Sequence, residues 1–438
     1  MITSMKVNFY IDNLNLDGID FTEVDMGNPG VGGTEFLTVK IAKLLSEEIE
    51  HVVIQSPGKI QTPSKVRFER VVSVEEAINL SAAKGEVLIL RMFIKDYEHI
   101  VSIIKQNPNS RIVFWLHLTP TQKIISELGR LSQVKAFICV GNNQRVRLID
   151  YENQRKLITI PHPLDRQKNF LKPTNSNGIC YLGALVPQKG FHLLADVWPQ
   201  ISLKHPHVKL YVIGSPRLYG FTGNIRENSI PEGKYGKRIF KKLSPQDKSV
   251  VFLGNLNLKE RIEIFRKCSI GVVNPSGSTE TFCLSAMELQ QYGLPVISAN
   301  KLGLKDTIAN NKTGILIRNN KQLRLAIEKL LEDGVSREKM ALSARNYVYS
   351  KYEVTKIIKL WLELINNVTS NQKIHFPSDL TVIRFDSLQA YLGFLNRIPR
   401  IILNGKWPML IEIYAKMRKI LFKSLALIGG KSDYYNII

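Results

Sequence analysis

The sequence predicts an α/β protein made of two doubly wound, Rossmann-like domains facing a cleft, followed by a basic helical C-terminal tail. Three observations predict it. Apolar runs of strand length recur along the chain with helical stretches between them. The alternation breaks once, at a polar stretch near residue 170, and then starts again. Beyond Ser370 the composition shifts to a basic segment with an apolar stripe.

In the first half, Val7 to Ile11 opens as a strand and Gly27 to Gly33 is a glycine-rich loop. Thr34 to Ser46 follows, with Phe36, Leu37, Ile41, Leu44 and Leu45 at helical spacing. Strand, glycine loop and helix together bring backbone N–H groups and a helix N-terminus towards an anion. A surface loop also needs glycines, so this signal alone is weak. Further strands read at Val52–Ile54, Val87–Leu90, Ile112–Leu116 and Phe137–Val140. Continuous apolar strands separated by helices belong to a parallel sheet covered on both faces, with ligands beyond the carboxyl ends of its strands. His117 stands at that edge and is followed by Leu118, Thr119 and Pro120. A lone histidine is more often structural than functional, but this position favours function.

Around Pro161 to Asp165 the pattern breaks, and residues 166–177 read as a linker between a domain over 1–165 and a second over 178–345. The second alternation runs through a strand at Ile179–Leu182, a loop at Gly183–Gln188 and a helix from Lys189 to Ile201. The next strand, Leu210–Ile213, ends in Gly214. Pro216 to Lys237 is a long loop rich in Gly, Asn and basic residues, a length that usually carries function. A strand at Val250–Leu253, a helix from Lys259 to Cys268 and a strand at Ile270–Val273 lead to the stretch from Asn274 to Asn300.

That stretch reads as loop, helix and strand. Ser278, Thr279 and Thr281 are all suitable caps, Gly293 closes the helix, and Val296 to Ser298 resumes as a strand. Glu280 and Glu288 are eight positions apart, which on a continuous helix would leave them roughly 80° apart. A loop position for Glu280 and a helix position for Glu288 would let both face one cleft. Taken alone, the two carboxylates fit an acid/base pair of a hydrolase, or a solvated helix face. Helices are expected at Lys321–Glu332 and Arg337–Asn366, with 346–370 crossing back towards the first domain and 371–438 as a C-terminal extension.

The 438 residues carry 60 Lys and Arg against 38 Asp and Glu, a net charge of +22 that points to an anionic partner. Ten basic and four acidic residues follow position 370. There Trp407, Met409, Leu410, Ile413, Tyr414, Met417, Leu421 and Leu425 form an apolar stripe. This suits a helix on an anionic membrane surface, and equally a terminal helix packed on the protein's own body. Aromatic and basic residues are not interleaved as nucleic-acid readers require, so no nucleic acid is expected. The N-terminus lacks the pattern of a signal peptide and no apolar run reaches about 18 residues, which makes the cytoplasm the expected compartment. Cys139, Cys180, Cys268 and Cys283 are scattered without metal-ligand spacing and read as buried thiols.

The motifs, in their order, resemble the GT-B fold glycosyltransferases of family 4. ETFCLSAME matches the E-x7-E signature of that family, and YGLPVIS its continuation. CYLGALVPQKGFHLL resembles the donor-domain opening, VGGTE the glycine loop, LHLTP the acceptor-domain histidine loop and IPHPLD the interdomain turn. Together they cover roughly residues 5–366. The resemblance implies a retaining enzyme that moves a sugar from a nucleotide-sugar donor to a hydroxyl of a glycan or lipid-linked acceptor, in cell-surface polysaccharide synthesis. It implies no cofactor and no metal, and no DxD-type carboxylate pair is placed to hold one.

By the same resemblance, Lys189 neutralises the leaving diphosphate, with the backbone N–H groups of Phe282, Cys283 and Leu284 as further donors. Glu280 contacts the sugar and Glu288 the ribose. His117 reaches the sugar, and Gly32 and Gly33 line the diphosphate. Gly183, Gly214 and Thr281 complete the donor-binding set. Two departures stand out. Ala184 occupies the place of a family arginine, so that Arg217 or another residue of the long basic loop is the expected substitute. Thr281 and Cys283 stand where glycines are common, which narrows the expected sugar pocket. Alternatives are an epimerase or phosphorylase on the same fold, an inactive relative serving as a scaffold, and a basic nucleic-acid-binding protein.

Overall fold

The computed structural model describes residues 5–12, 17–27, 31–92, 96–148, 155–166, 178–216, 231–244 and 247–372, with positions 395, 410, 413 and 417. Two compact units emerge. One comprises residues 1–22, 37–160 and 358–438, the other 23–36 and 161–357. The glycine loop therefore groups with the second unit although it follows the first strand.

The first sheet contains β1 (Lys6–Tyr10), β2 (His51–Ser56), β3 (Val66–Arg70), β4 (Val87–Arg91), β5 (Arg111–Leu116), β6 (Val134–Cys139) and β7 (Leu157–Thr159). Its order is β3-β2-β1-β4-β5-β6-β7 and every pairing is parallel. The helices along this part are α1 (Gly33–Leu45), α2 (Val74–Lys84), α3 (Tyr97–Gln106), α4 (Gln122–Gly129) and α5 (Asn142–Leu148). Apolar strands such as β4 and β5 are buried along nearly their full length, and Phe114 stacks on Phe137 with ring centroids 5.9 Å apart. Burial on both faces is what removed any polar alternation from these strands.

The second sheet holds β8 (Gly178–Leu182), β9 (Leu210–Ile213), β10 (Val250–Gly254), β11 (Cys268–Val272), β12 (Val296–Ala299) and β13 (Gly314–Ile317). The order β10-β9-β8-β11-β12-β13 reverses direction between β8 and β11, the switch point where doubly wound sheets bind ligands. Its helices are α6 (Phe191–Lys204), α7 (Gly233–Phe240), α8 (Leu258–Phe265), α9 (Leu284–Gln291), α10 (Leu304–Thr307), α11 (Asn320–Glu332), α12 (Gly334–Tyr352) and α13 (Val354–Thr369). Trp198, Leu194 and Ile201 of α6 enter one core with Ile327 and Leu330 of α11. Phe265 of α8 enters another with Ala286 and Leu289 of α9.

Several expectations are corrected. Strands β3, β7 and β13 did not stand out in the sequence; all three are sheet edges, where a short or polar run suffices. The helix expected to reach Cys268 stops at Phe265, and Cys268 instead starts β11, paired with Gly178. The long helix expected from Arg337 is divided at Glu353, whose extended backbone bridges Leu164 while the Leu164 N–H donates to Tyr352 O at 2.8 Å. The far end of the expected loop at Pro216–Lys237 is the start of α7, and residues 217–230, including Arg217, lie outside the described residues. Most of the expected linker and of the basic tail also lies outside them.

The four cysteines are buried free thiols. Among the described residues no helix is long and apolar enough to cross a membrane, and no group of His, Cys, Asp and Glu could hold a metal ion.

Candidate active site

The loops after β8 and β11 meet at the switch point of the second sheet. After β8, Gly183 N–H bonds Ile213 O at 3.0 Å, and a single 3-10 turn, Pro187–Lys189, leads to Gly190 at φ +71°. A Cβ there would stand 2.6 Å from Ser276 N, so only glycine lets the β8 loop lie against the β11 loop. Ser276 Oγ also donates to Gln188 O. The consequence is an ion pair across the two loops: Lys189 Nζ is 2.7 Å from Glu280 Oε2, with side chains 21% and 9% exposed.

Asn274 organises the Glu280 side of this pair. It is buried, at φ +35°, a left-handed conformation that asparagine tolerates better than most residues. Its Nδ2 donates to Glu280 Oε2 at 2.9 Å, and its Oδ1 accepts from Gly277 N–H at 3.0 Å and lies 2.9 Å from Ser276 Oγ. Asn274 carries no catalytic motif of its own in the sequence. An Asn before a Pro-Ser-Gly run is a turn signal, and that turn holds a carboxylate.

The expected caps Ser278, Thr279 and Thr281 do not cap. Thr279 is in a turn at φ +56°, and Gly303 N–H bonds Glu280 O at 3.0 Å. A Cβ on Gly303 would stand 2.0 Å from Thr281 O, so the Glu280–Phe282 segment lies flat on Gly303 rather than entering the helix. The helix cap is Cys283, whose thiol is pushed up by burial and by the nearby Glu280 carboxylate. Phe282 is anchored edge-on to His162 at 5.1 Å and to Tyr352 at 5.4 Å, and Tyr352 donates to Asp306 O. Leu284 begins α9, four residues after Glu280.

Glu288 is not part of the Lys189–Glu280 pair. It lies on α9 and pairs with Arg261 of α8, Nε to Oε1 at 2.5 Å. Gly214 is at φ +140°, and a Cβ would stand 2.0 Å from Gly183 O, which makes it a packing requirement of adjacent strand ends; Gly183 has no such constraint. Ala184, in the place of the family arginine, is buried.

Within the segment that groups with the second unit, Gly32 O accepts from Phe36 N–H at 3.0 Å and Gly33 is the exposed first residue of α1. A Cβ on Gly32 would meet only the flexible Glu35 carboxylate, and one on Gly33 would meet nothing within 4 Å. These two glycines are thus not demanded by local packing.

His117 belongs to the first unit, directly after β5. Its ring lies 4.3 Å from that of Trp115, which meets Trp361 edge-on at 5.0 Å. Gln144 Nε2 donates to Leu116 O at 2.9 Å and to Leu118 O at 3.1 Å, bracketing His117, and Gln144 Oε1 accepts from Val140 N–H. A buried glutamine on α5 therefore fixes the backbone of the histidine loop, a role with no signal in sequence.

Residues 164–347 match the family described as "Glycosyl transferases group 1". This stretch is similar to the group 1 glycosyltransferases. The matched stretch holds Lys189, Asn274, Arg261, Glu280 and Glu288. Over 201 residues the chain is 30% identical to the capsular polysaccharide biosynthesis glycosyltransferase CapM of Staphylococcus aureus, covering 45% of this chain and 47% of that one. The chain spans about half the length of such curated relatives. Among solved structures, it is similar to sucrose-phosphate synthase of Thermosynechococcus elongatus, with a TM-score of 0.65 and 15% identity over 84% of this chain and all of that one. It is also similar to Anabaena Alr3699/HepE in complex with UDP and glucose, with a TM-score of 0.62 and 16% identity over 83% of this chain and all of that one. At these identities the likeness establishes the GT-B fold of two Rossmann-like domains.

Proposed function

We propose that the protein is a retaining glycosyltransferase that moves a sugar from a nucleotide-sugar donor to a hydroxyl of a glycan or glycolipid acceptor, in the synthesis of a cell-surface polysaccharide. The observation that carries the reading is the Lys189–Glu280 pair at the switch point, beside the start of α9. Leaving-group departure adds a negative charge to a diphosphate that already carries two. A mobile ammonium and helix N-terminal amides stabilise such charge where it develops, each at about 2.7–4 kcal/mol when preorganised. In this reading Lys189 turns to the diphosphate as the donor enters, and Glu280 accepts hydrogen bonds from the sugar hydroxyls. Glu288 accepts those of the ribose, Gly32 and Gly33 lie along the diphosphate, and His117 contacts the sugar.

The acceptor hydroxyl attacks the anomeric carbon on the face the diphosphate leaves. The bond to the leaving oxygen breaks as the new glycosidic bond forms, and the acceptor proton passes to the departing phosphate. These groups supply the charge stabilisation without a metal ion. The relative named for capsule biosynthesis supports a polysaccharide acceptor. The basic tail is assigned to an anionic membrane on the cytoplasmic face. Ile413 and Met417, four residues apart in its apolar stripe, are 40% and 65% exposed.

The test is a thermal-shift screen of UDP, GDP and ADP sugars followed by product analysis with a lipid-linked glycan acceptor. A donor that raises the unfolding temperature and is consumed with retained anomeric configuration supports the reading. Binding of no nucleotide sugar, or retention of DNA at physiological salt in its place, overturns it.

A further inference from the structure

Arg261 carries no motif: α8 reads as an ordinary crossover helix between β10 and β11. In the structure its guanidinium is fixed at two corners. Nε donates to Glu288 Oε1 at 2.5 Å and Nη1 donates to Leu256 O at 2.6 Å, just beyond the carboxyl end of β10. The capping box of Asn257 and Glu260 sets the start of α8, with Asn257 Oδ1 accepting from Glu260 N–H at 3.0 Å and Glu260 Oε2 from Asn257 N–H at 2.9 Å. One turn further on, Phe265 meets Tyr292 with ring centroids 5.4 Å apart, tying α8 to α9. The arginine thus has a rigid mount on both sides, and Glu288 inherits it.

Only one oxygen of Glu288 is taken by a hydrogen bond, and no described group donates to Oε2. Both side chains of the pair are 22% exposed, so the carboxylate is reachable from solvent. A carboxylate bonded to a fixed guanidinium, with one oxygen committed and the other open, is prepared to accept from a hydroxyl. A glutamate without that mount would have to give up rotamer freedom on binding.

We propose that Arg261 is the positioning residue of Glu288, and that the pair selects a ribonucleotide over a deoxyribonucleotide in the donor. This rests on reading Glu288 as the acceptor for the ribose hydroxyls. A site built around a hydroxyl rejects the analogue that lacks it, because its own polar group is then left unpaired. The competing role for Arg261 is the phosphate cation missing at Ala184. Two of its nitrogens are already bonded to Glu288 and Leu256, and a guanidinium neutralised by a carboxylate has little charge left for a diphosphate.

The experiment first ranks UDP, GDP, ADP and CDP by calorimetry. It then compares the tightest of them with its 2′-deoxy and 3′-deoxy counterparts, and with inorganic pyrophosphate, on the full chain and on R261M, R261K and E288Q. The expected result is a strong ribose preference in the unaltered protein that falls about tenfold in R261M, approaches the value of E288Q and is partly kept in R261K. Pyrophosphate affinity stays the same throughout. An unaltered ribose preference in R261M overturns the positioning role. Loss of pyrophosphate affinity in R261M matching its loss of nucleotide affinity also overturns it, in favour of the phosphate role. Unaltered preference in E288Q overturns the underlying reading of Glu288, an outcome distinct from both. Should R261M show no cooperative unfolding transition, R261Q is read by the same ratios.

Discussion

Asn274 Nδ2 and Lys189 Nζ bond the same oxygen of Glu280, at 2.9 and 2.7 Å. One donor is a buried amide locked in a turn, and the other is an ammonium on a flexible stem. A donor substrate that drew the lysine away would leave the asparagine holding the carboxylate in place. The pair therefore divides into a fixed half and a movable half.

Replacing the movable half should affect chemistry most. Lys189→Met is expected to lower kcat by about 10²–10³-fold, the scale of losing one preorganised electrostatic donor. Because Glu280 is buried, loss of the pair should also lower stability, towards the about 3–5 kcal/mol of a buried pair broken on one side. Steady-state kinetics beside urea unfolding checks both. A stable K189M protein with unchanged kcat would remove Lys189 from the reaction.

Replacing the fixed half should separate Asn274→Ala from Asn274→Asp. The alanine variant loses a hydrogen bond to a charged group, about 1.5–3 kcal/mol. The aspartate variant adds a like charge beside Glu280 and should be the less active of the two. Equal activities would mean that Asn274 serves the turn and not the carboxylate.

Gly190→Ala tests the approach of the two loops. Its Cβ would meet Ser276 N at 2.6 Å and the residue is at φ +71°, so the β8 and β11 loops must move apart. We expect a loss of activity larger than Gly33→Ala produces, since a Cβ on Gly33 meets nothing within 4 Å. Comparable kinetics for the two variants would contradict this.

Two buried histidines set an acid limit. Burial lowers His162 from 6.5 to about 3, and burial with nearby Arg238 lowers His192 to about 4. Below pH 6.5 the unfolded chain takes up protons that these folded imidazoles refuse, so stability is full above pH 6.5 and falls as the pH drops. By pH 5 each should contribute a loss on the order of 1–2 kcal/mol. Urea unfolding at pH 7 and pH 5 measures it, and His162→Asn should flatten the dependence. An unchanged slope in that variant would show that His162 does not titrate as described.

A chain ending at Ser370 should bind anionic vesicles less tightly than the full chain, at low salt, while keeping its affinity for nucleotide. Vesicle flotation measures the first property and calorimetry the second. Equal vesicle binding by the two chains would assign the tail another role.

Much of the architecture was legible because burial writes itself into sequence. Strands such as Ile112–Leu116 are apolar along their length since both faces of a parallel sheet are covered. The edges β3, β7 and β13 were not legible, because an edge strand has one paired side and little demand for continuous apolar residues. The glutamates and Lys189 stood out through motif and spacing. Asn274, Arg261 and Gln144 did not, because an amide or guanidinium that holds another residue in place leaves no periodic trace.

The sequence by itself determined the class of fold, the break between the two alternations and the loop-then-helix placement of Glu280 and Glu288. Local propensity, hydrophobic period and glycine punctuation act over short spans that a linear reading can see. Only the tertiary structure decided that Glu280 pairs with Lys189, 91 positions away, while Glu288 pairs with Arg261, 27 positions away. Those partners were chosen by strand order. The reversal between β8 and β11 brings the loop of one strand against that of the other, and the crossover of α8 lays Arg261 beside α9.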